Sequence, residues 1–367
     1  MTQGKTGKHA YVPSGAGAPG ELDLDLLRAQ DRSGLLEGID RALVYDIPLR
    51  THFRGLTRRD GVLLHGPAGW GEVAPFWDYG ATASAPWLAS ALEQATGRSC
   101  QDASPLPEAL RHAILVNLTV PEVSAAAAHT LVQKSGCTTV KVKIAGTPEN
   151  LKADLARLEA VRAALGPGGA VRIDVNGAWD LESARTSLPL MNDAAGGLEY
   201  VEQPCRATAD LARLRRETNV PIAADESIRL AADPMEVIRQ EAADIAILKV
   251  APLGGVRAAL RLAEQLGLPV VVSSALDTSV GLYAGLRLAT ALPRLEHACG
   301  LGTISLLRQD VAVPGMTPKD GILALRRLRV SRNLLPAVMA DVELTARWQT
   351  RLGHMLDALR TRLAGAA

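Results

Sequence analysis

The chain has 367 residues, 47% hydrophobic and 22% charged, and its 40 basic and 39 acidic side chains leave a formal net charge of +1. That size suits one large α/β unit with a smaller companion, and the balanced charge gives no overall electrostatic pull toward nucleic acid or an acidic membrane. Aromatics at 3% argue against an aromatic-lined polymer groove, and the four cysteines, Cys100, Cys137, Cys205 and Cys299, have neither zinc nor disulfide-scaffold spacing.

Residues 1–20 are rich in Gly, Ala, Ser and Pro, and 1–35 is expected to be a disordered leader. Residues 22–36 alternate acids with leucines and read either as a short helix or as more of that leader. No signal-peptide core or membrane-length apolar run is present, so a cytoplasmic protein with no membrane partner is expected. Over 36–110 the strand-like runs ALVYDIPLR and GVLLHGPAGWGEVAPF flank the basic stretch THFRGLTRRD, and PWLASALEQATG reads as a helix stopped by Gly97. This segment is expected to be a small α+β capping domain.

From 111 to 309 the pattern becomes regular. Strand-like AILVNLTV, TVKVKI, VRIDVNG, LEYVEQP, PIAADES, IAILKV and VVVSSA are each followed by a helical pattern, and RLEHACG is the eighth strand candidate. Short apolar strands alternating with amphipathic helices predict a parallel sheet, and eight in succession predict a closed (β/α)7β variant of the TIM barrel. Residues 310–367, with DGILAL and the long helical pattern ADVELTARWQTRLGHMLDALRTRL, are expected to pack on the barrel end or on the capping domain.

The polar exceptions in these strands fall at their C-terminal ends: Lys141 and Lys143, Asp174 and Asn176, Glu202 and Gln203, Asp225 and Glu226, Lys249, Ser273 and Ser274. In a parallel barrel those ends open on one face, where active sites form. Asp174, Glu202 and Asp225 on three adjacent strands repel one another unless a hard divalent cation joins them. Lys143 and Lys249 would flank that ion from opposite sides, and Lys141, two residues before Lys143, shares its face. A cation holding a substrate carboxylate and a lysine taking the α-proton together solve the problem of a weakly acidic C–H.

Each residue alone has an ordinary explanation. A lone strand-end acid caps a helix or joins a salt bridge, and Ser227 after Asp225 is the better cap of the next helix. A lone lysine snorkels, and His297 on the last strand is as readily a core histidine as a site residue. Five such residues in register are harder to explain that way. No dinucleotide fingerprint, phosphate loop or H-E-x-x-H motif accompanies them.

The motifs VKVKIA, RIDVNGAW, EYVEQP, AADES and ILKVAPLGG resemble those of the enolase superfamily, in its muconate-lactonising-enzyme-like branch, over roughly 38–335. FRGLTRRDGVLL, GWGEVAPF and SSALDTSVGL are most similar to o-succinylbenzoate synthases of the actinobacterial type. That resemblance implies a hydro-lyase of menaquinone biosynthesis performing syn dehydration of 2-succinyl-6-hydroxy-2,4-cyclohexadiene-1-carboxylate. Mg²⁺ (with Mn²⁺ able to substitute) would be held by Asp174, Glu202 and Asp225. Lys143 would be the base and then the acid, and Lys249 a fixed cation over the ring. Arg54, Lys141, Ser273 and Ser274 are the candidate substrate contacts. The alternative within the branch is an N-acylamino-acid racemase or dipeptide epimerase, which shares the enediolate step.

Overall fold

The computed structural model describes residues 19–100 and 104–365; the front of the expected leader, 1–18, lies outside them. Over 19–35 the leader expectation gives way to ordered chain. Helix α1 (Leu24–Gln30) is capped by Asp23, whose carboxylate accepts from the Leu26 amide at 2.9 Å. Leu22, Leu27 and Leu36 enter the core of the capping unit, so apolar burial holds a segment whose composition resembles a tail.

Strands β1 (Arg41–Phe53), β2 (Leu56–Gly66) and β3 (Gly69–Val73) form an antiparallel sheet in that order. The stretch THFRGLTRRD does not separate two strands but forms the tip and return of their hairpin. Phe53 pairs with Leu56, and Arg54 and Gly55 between them have φ of 52° and 73°. Two successive left-handed residues give the twist a two-residue hairpin needs. Helix α2 (Ala81–Thr96) covers the sheet and ends at Gly97 in the left-handed conformation.

The chain continues through β4 (Ala113–Leu115), β5 (Leu118–Val120), α3 (Ala125–Ser135), β6 (Thr139–Lys143), α4 (Leu151–Leu165) and β7 (Ala170–Asp174). Then come α5 (Leu181–Ala194), β8 (Tyr200–Glu202), α6 (Thr208–Glu217), β9 (Ile222–Ala224), and the single turns α7 (Glu226–Arg229) and α8 (Glu236–Arg239). Strand β10 (Ile245–Lys249), α9 (Val250–Leu253), α10 (Val256–Leu266), β11 (Val270–Ser273) and α11 (Ser279–Ala291) complete the series. Strands β5 to β11 are parallel and hydrogen-bonded in chain order. Strand alternation sends Val140, Val142, Val171 and Ile173 into the large apolar core. Tyr200, Ala223, Ile245, Ile247 and Val271 form a separate cluster.

Two expected strands differ. AILVNLTV splits at Val116–Asn117, its first part pairing with β12 (Ile322–Ala324) and only its second entering the parallel sheet. RLEHACG is not a full eighth strand: Cys299 bridges Val116 and Gly300 bridges Ser273, and these two residues close the barrel. Side chains hold the residues before them. Arg172 Nη1 donates to the Ala298 carbonyl at 2.7 Å, and His297 Nδ1 lies 2.8 Å from Glu199 Oε1.

Helix α12 (Val342–Ala364) returns to the capping unit. Trp348, Leu352, Met355 and Leu356 share a core with Val62, Leu64 and Trp87, and the Trp348 indole donates to Asp60 Oδ2 at 2.7 Å.

Candidate active site

Strand register assembles the site. Lys143 pairs with Asp174 and Asp174 with Glu202; on the other side Lys249 pairs with Ser273. Asp225 follows β9 directly and is the first residue before α7. Its backbone is tied to β8 by Gln203, whose Oε1 accepts from the amides of Asp225 at 3.0 Å and Ser227 at 3.1 Å. Ser227 therefore does not cap a helix: it lies inside the turn, and its hydroxyl accepts from Gln203 Nε2 at 2.7 Å.

Lys141 Nζ lies 3.1 Å from Asp174 Oδ2 and 2.8 Å from Glu202 Oε2, so this ammonium bridges two of the carboxylates. Lys143 Nζ donates to Asp174 Oδ2 at 2.6 Å and to Asn176 Oδ1 at 2.7 Å. Lys249 Nζ reaches Asp225 Oδ2 at 2.5 Å, and Arg229 Nε takes Asp225 Oδ1 at 2.9 Å. All three carboxylates are buried. Burial and the neighbouring Asp174 charge push Glu202 up to about 7. Burial pushes Asp174 upward too, but Lys143, Lys141 and Lys249 more than offset it and hold the group well below the usual range. For Asp225, Arg229 and Lys249 overcome burial and bring it to about 2. Lys141 is raised well above its ordinary value, since Glu202 and Asp174 outweigh the burial that opposes its charge.

A cavity of about 520 Å³ opens above this cluster, and Lys141, Lys143, Asp174, Lys249, Ser273 and Ser274 line it. The β1–β2 hairpin tip forms its opposite side, with the Phe53 ring centroid 5.6 Å from Lys143 Nζ. Arg54 also lines the cavity. Its guanidinium stacks 4.3 Å from the Phe76 centroid and donates to Asp78 Oδ2 and Tyr79 Oη, each at 3.2 Å. The Ser274 hydroxyl is spent on the Gly300 carbonyl at 2.8 Å and on Thr303. His297 is not among the lining residues; it pairs with Glu199.

The sequence reading passed over one site neighbour and gave another no role. Arg229 is buried beside Asp225 and donates as well to Glu226 Oε1 at 2.7 Å and Tyr79 Oη at 2.9 Å. Its signal was the spacing of four residues from Asp225, which brings the two side chains together on one helical turn. Asn176, read from the sequence as a polar strand-end residue without an assigned role, has φ of 51° and contacts Lys143, the Asp174 carboxylate and Glu226 together.

Comparison with known proteins agrees with this architecture. The Enolase C-terminal domain-like family matches residues 123–329 and the Enolase N-terminal domain-like family residues 44–95. The chain belongs to the enolase superfamily. Among its curated relatives in that superfamily, the o-succinylbenzoate synthase of Thermobifida fusca (strain YX) is 53% identical over 310 residues, covering 84% of this chain and 93% of that protein. The o-succinylbenzoate synthase of Mycobacterium tuberculosis (strain H37Rv) is 46% identical over 315 residues, covering 86% and 93%. Among solved structures, muconate lactonizing enzyme from Pseudomonas fluorescens superposes with a TM-score of 0.69 at 24% identity over 81% of this chain and 97% of that one. The L-Ala-D/L-Glu epimerase from Bacillus subtilis gives 0.64 at 22% identity, over 80% and 98%. These two likenesses concern the fold.

Enolase-superfamily enzymes use a divalent metal ion, and the donor chemistry here fits one. Three buried carboxylates offer hard oxygen ligands, and a dication would relieve the repulsion that raises Glu202. As the side chains stand, no three acidic, His or Cys side chains among the described residues close on a common point; Lys141 and Lys249 take carboxylate oxygens instead.

Proposed function

We propose that this enzyme is an o-succinylbenzoate synthase, dehydrating 2-succinyl-6-hydroxy-2,4-cyclohexadiene-1-carboxylate to 2-succinylbenzoate. The observation that carries the reading is the 53% identity to a synthase over 84% of the chain. The electrostatics support an anionic substrate. Four cationic side chains, Lys141, Lys143, Lys249 and Arg229, are bonded to four carboxylates, Asp174, Glu202, Asp225 and Glu226. With Lys143 as the neutral amine that its role as base requires, a dication entering the cluster leaves a net positive site that favours an anionic substrate.

Asp174, Glu202 and Asp225 would hold the ion, which we take to be Mg²⁺. When bound, it supplies Lewis acidity to the ring carboxylate. Lys143 takes the proton α to that carboxylate as general base, with Asp174 and Asn176 holding its amine toward the cavity. The same nitrogen, now an ammonium, returns a proton to the leaving hydroxyl on the same face, so water departs syn. Lys249 stays charged across the cavity, fixed by Asp225, and attracts both the developing anion and the ring face. The hairpin tip at Phe53 and Arg54 covers the cavity and excludes water, and Arg54 and Ser273 are the proposed contacts of the succinyl arm, the Ser274 hydroxyl being engaged by Gly300 and Thr303. Aromatisation drives the elimination forward. The residue boundaries 36–110, 111–309 and 310–367 are the proposed division into capping, barrel and C-terminal segments.

Incubating the protein with the cyclohexadiene and Mg²⁺ tests this reading. Formation of 2-succinylbenzoate with loss of one water, abolished by EDTA, is expected. Folded, metal-loaded protein that leaves the diene intact but exchanges the α-proton of N-succinyl amino acids for deuterium overturns it in favour of the racemase.

A further inference from the structure

The cavity wall after β11 contains a residue in a costly backbone conformation. Leu276 lines the cavity with φ of 63°, in the left-handed region where a branched side chain is disfavoured. Within the segment the Asp277 carboxylate accepts from the Ala275 amide at 3.0 Å, a bond that does not involve the Leu276 backbone, and no glycine takes the position.

The constraint comes from the capping sheet. Arg59 on β2 is buried, and its side chain makes no hydrogen bond to a carboxylate among the described residues. Its guanidinium is spent on backbone carbonyls: Nε donates to Leu276 O at 3.0 Å, and Nη2 to Ala275 O at 3.2 Å and to Ala74 O. A buried guanidinium makes such bonds stronger than neutral donors do. The far end of the same segment is fixed by Glu72 on the neighbouring strand β3. Glu72 Oε1 accepts from the Thr278 amide at 3.1 Å, and Oε2 from the Gly281 amide at 2.8 Å. The plane of Arg59 also stacks 4.5 Å from the centroid of Phe76, another cavity-lining ring.

We infer that Arg59 is a positioning residue for substrate binding: by clamping the carbonyls of Ala275 and Leu276 it holds the wall in the strained form that fits the acyl arm. Arg59 touches no reacting group; it acts through Leu276. Without the clamp the segment relaxes toward negative φ, the competent wall is populated only in part, and apparent affinity falls by that fraction. The identity of the acyl arm rests on the synthase reading, whereas the clamp itself does not.

The test is a double-mutant cycle with Arg59→Lys and Leu276→Gly, read as KM and kcat on the cyclohexadiene, together with a crystal structure of the Arg59→Lys enzyme. Glycine holds positive φ without strain, so it removes the need for a clamp. Arg59→Lys is expected to raise KM roughly tenfold, the population cost of one left-handed residue, with kcat little changed. In the Leu276→Gly background the same substitution is expected to leave KM unchanged, and the crystal structure to show Leu276 at negative φ. An equal KM increase in both backgrounds, or a lower melting temperature with KM unaffected, overturns the inference. Should wild-type enzyme fail to turn over the diene, the synthase reading falls, and the Leu276 backbone in the variant crystal still decides the clamp: retained positive φ overturns it. Arg59→Gln, which keeps one neutral donor, serves in the same cycle if the lysine variant does not fold.

Discussion

Lys143 and Asp174 face each other in register across β6 and β7, and their side chains meet with Nζ 2.6 Å from Oδ2. One carboxylate thus serves two neighbours, aiming the proposed base while belonging to the proposed ion-binding set. Asp174→Asn is expected to weaken Mn²⁺ binding and to lower turnover together. Lys143→Ala is expected to lower kcat by roughly 10²–10⁴ while Mn²⁺ binding, followed by electron paramagnetic resonance, persists. Loss of metal binding in Lys143→Ala would show that the two roles are not separable.

Arg229 is the outer partner of Asp225, at 2.9 Å from Oδ1. Groups that orient a ligand without touching the ion typically change metal affinity by about 10–100-fold. Arg229→Gln is expected to weaken Mn²⁺ binding within that range, and Tyr79→Phe, which removes the phenol's contacts with Arg229 and Arg54 but none with Asp225, to leave it near the wild-type value. Equal effects from the two would place the role of Arg229 in docking the capping unit.

Asp277 gives a pH signature away from the carboxylate cluster. Burial, then the nearby Glu72 charge, raises it from 3.8 to about 6. Between those values the folded protein keeps a proton that the unfolded chain releases, so this group's stabilisation is complete below pH 3.8 and is lost as pH rises through 6. Asp277→Asn retains an acceptor for the Ala275 amide. It is expected to melt at a higher temperature than wild type at pH 8 and at the same temperature at pH 4. A difference independent of pH would refute the assignment.

The last helix is part of the capping core, not an appendage. Trp348 is fully buried and bonded to Asp60. Trp348→Ala is expected to cost roughly 3–5 kcal/mol, read as a lower denaturation midpoint, with the variant's far-ultraviolet spectrum retained below that midpoint.

Much of the site was legible because a parallel barrel buries its strands on both faces. Against runs such as VKVKI and IAILK, the polar members Lys143, Asp174, Glu202 and Lys249 stand out, and the shared chain direction brings their ends to one rim. The eighth strand was not legible, since RLEHACG has strand-like letters but only Cys299 and Gly300 pair, while Arg172 and Glu199 hold the rest. The hairpin tip was hidden because its register depends on two left-handed residues, and Arg54 carries no mark of that in its letter. Arg59 acts on carbonyls, and Arg229 in part on the Tyr79 phenol, that the fold alone brings near, and surface arginines look the same in a sequence.

The most direct measurement follows the diene absorbance of freshly made 2-succinyl-6-hydroxy-2,4-cyclohexadiene-1-carboxylate with wild-type and Lys143→Ala protein, each with Mg²⁺ and with EDTA. Rapid loss of absorbance with wild-type protein and Mg²⁺, and in no other combination, is the predicted result. An intact diene in the presence of folded, Mg²⁺-loaded wild-type protein, or equal turnover by Lys143→Ala, would contradict the account.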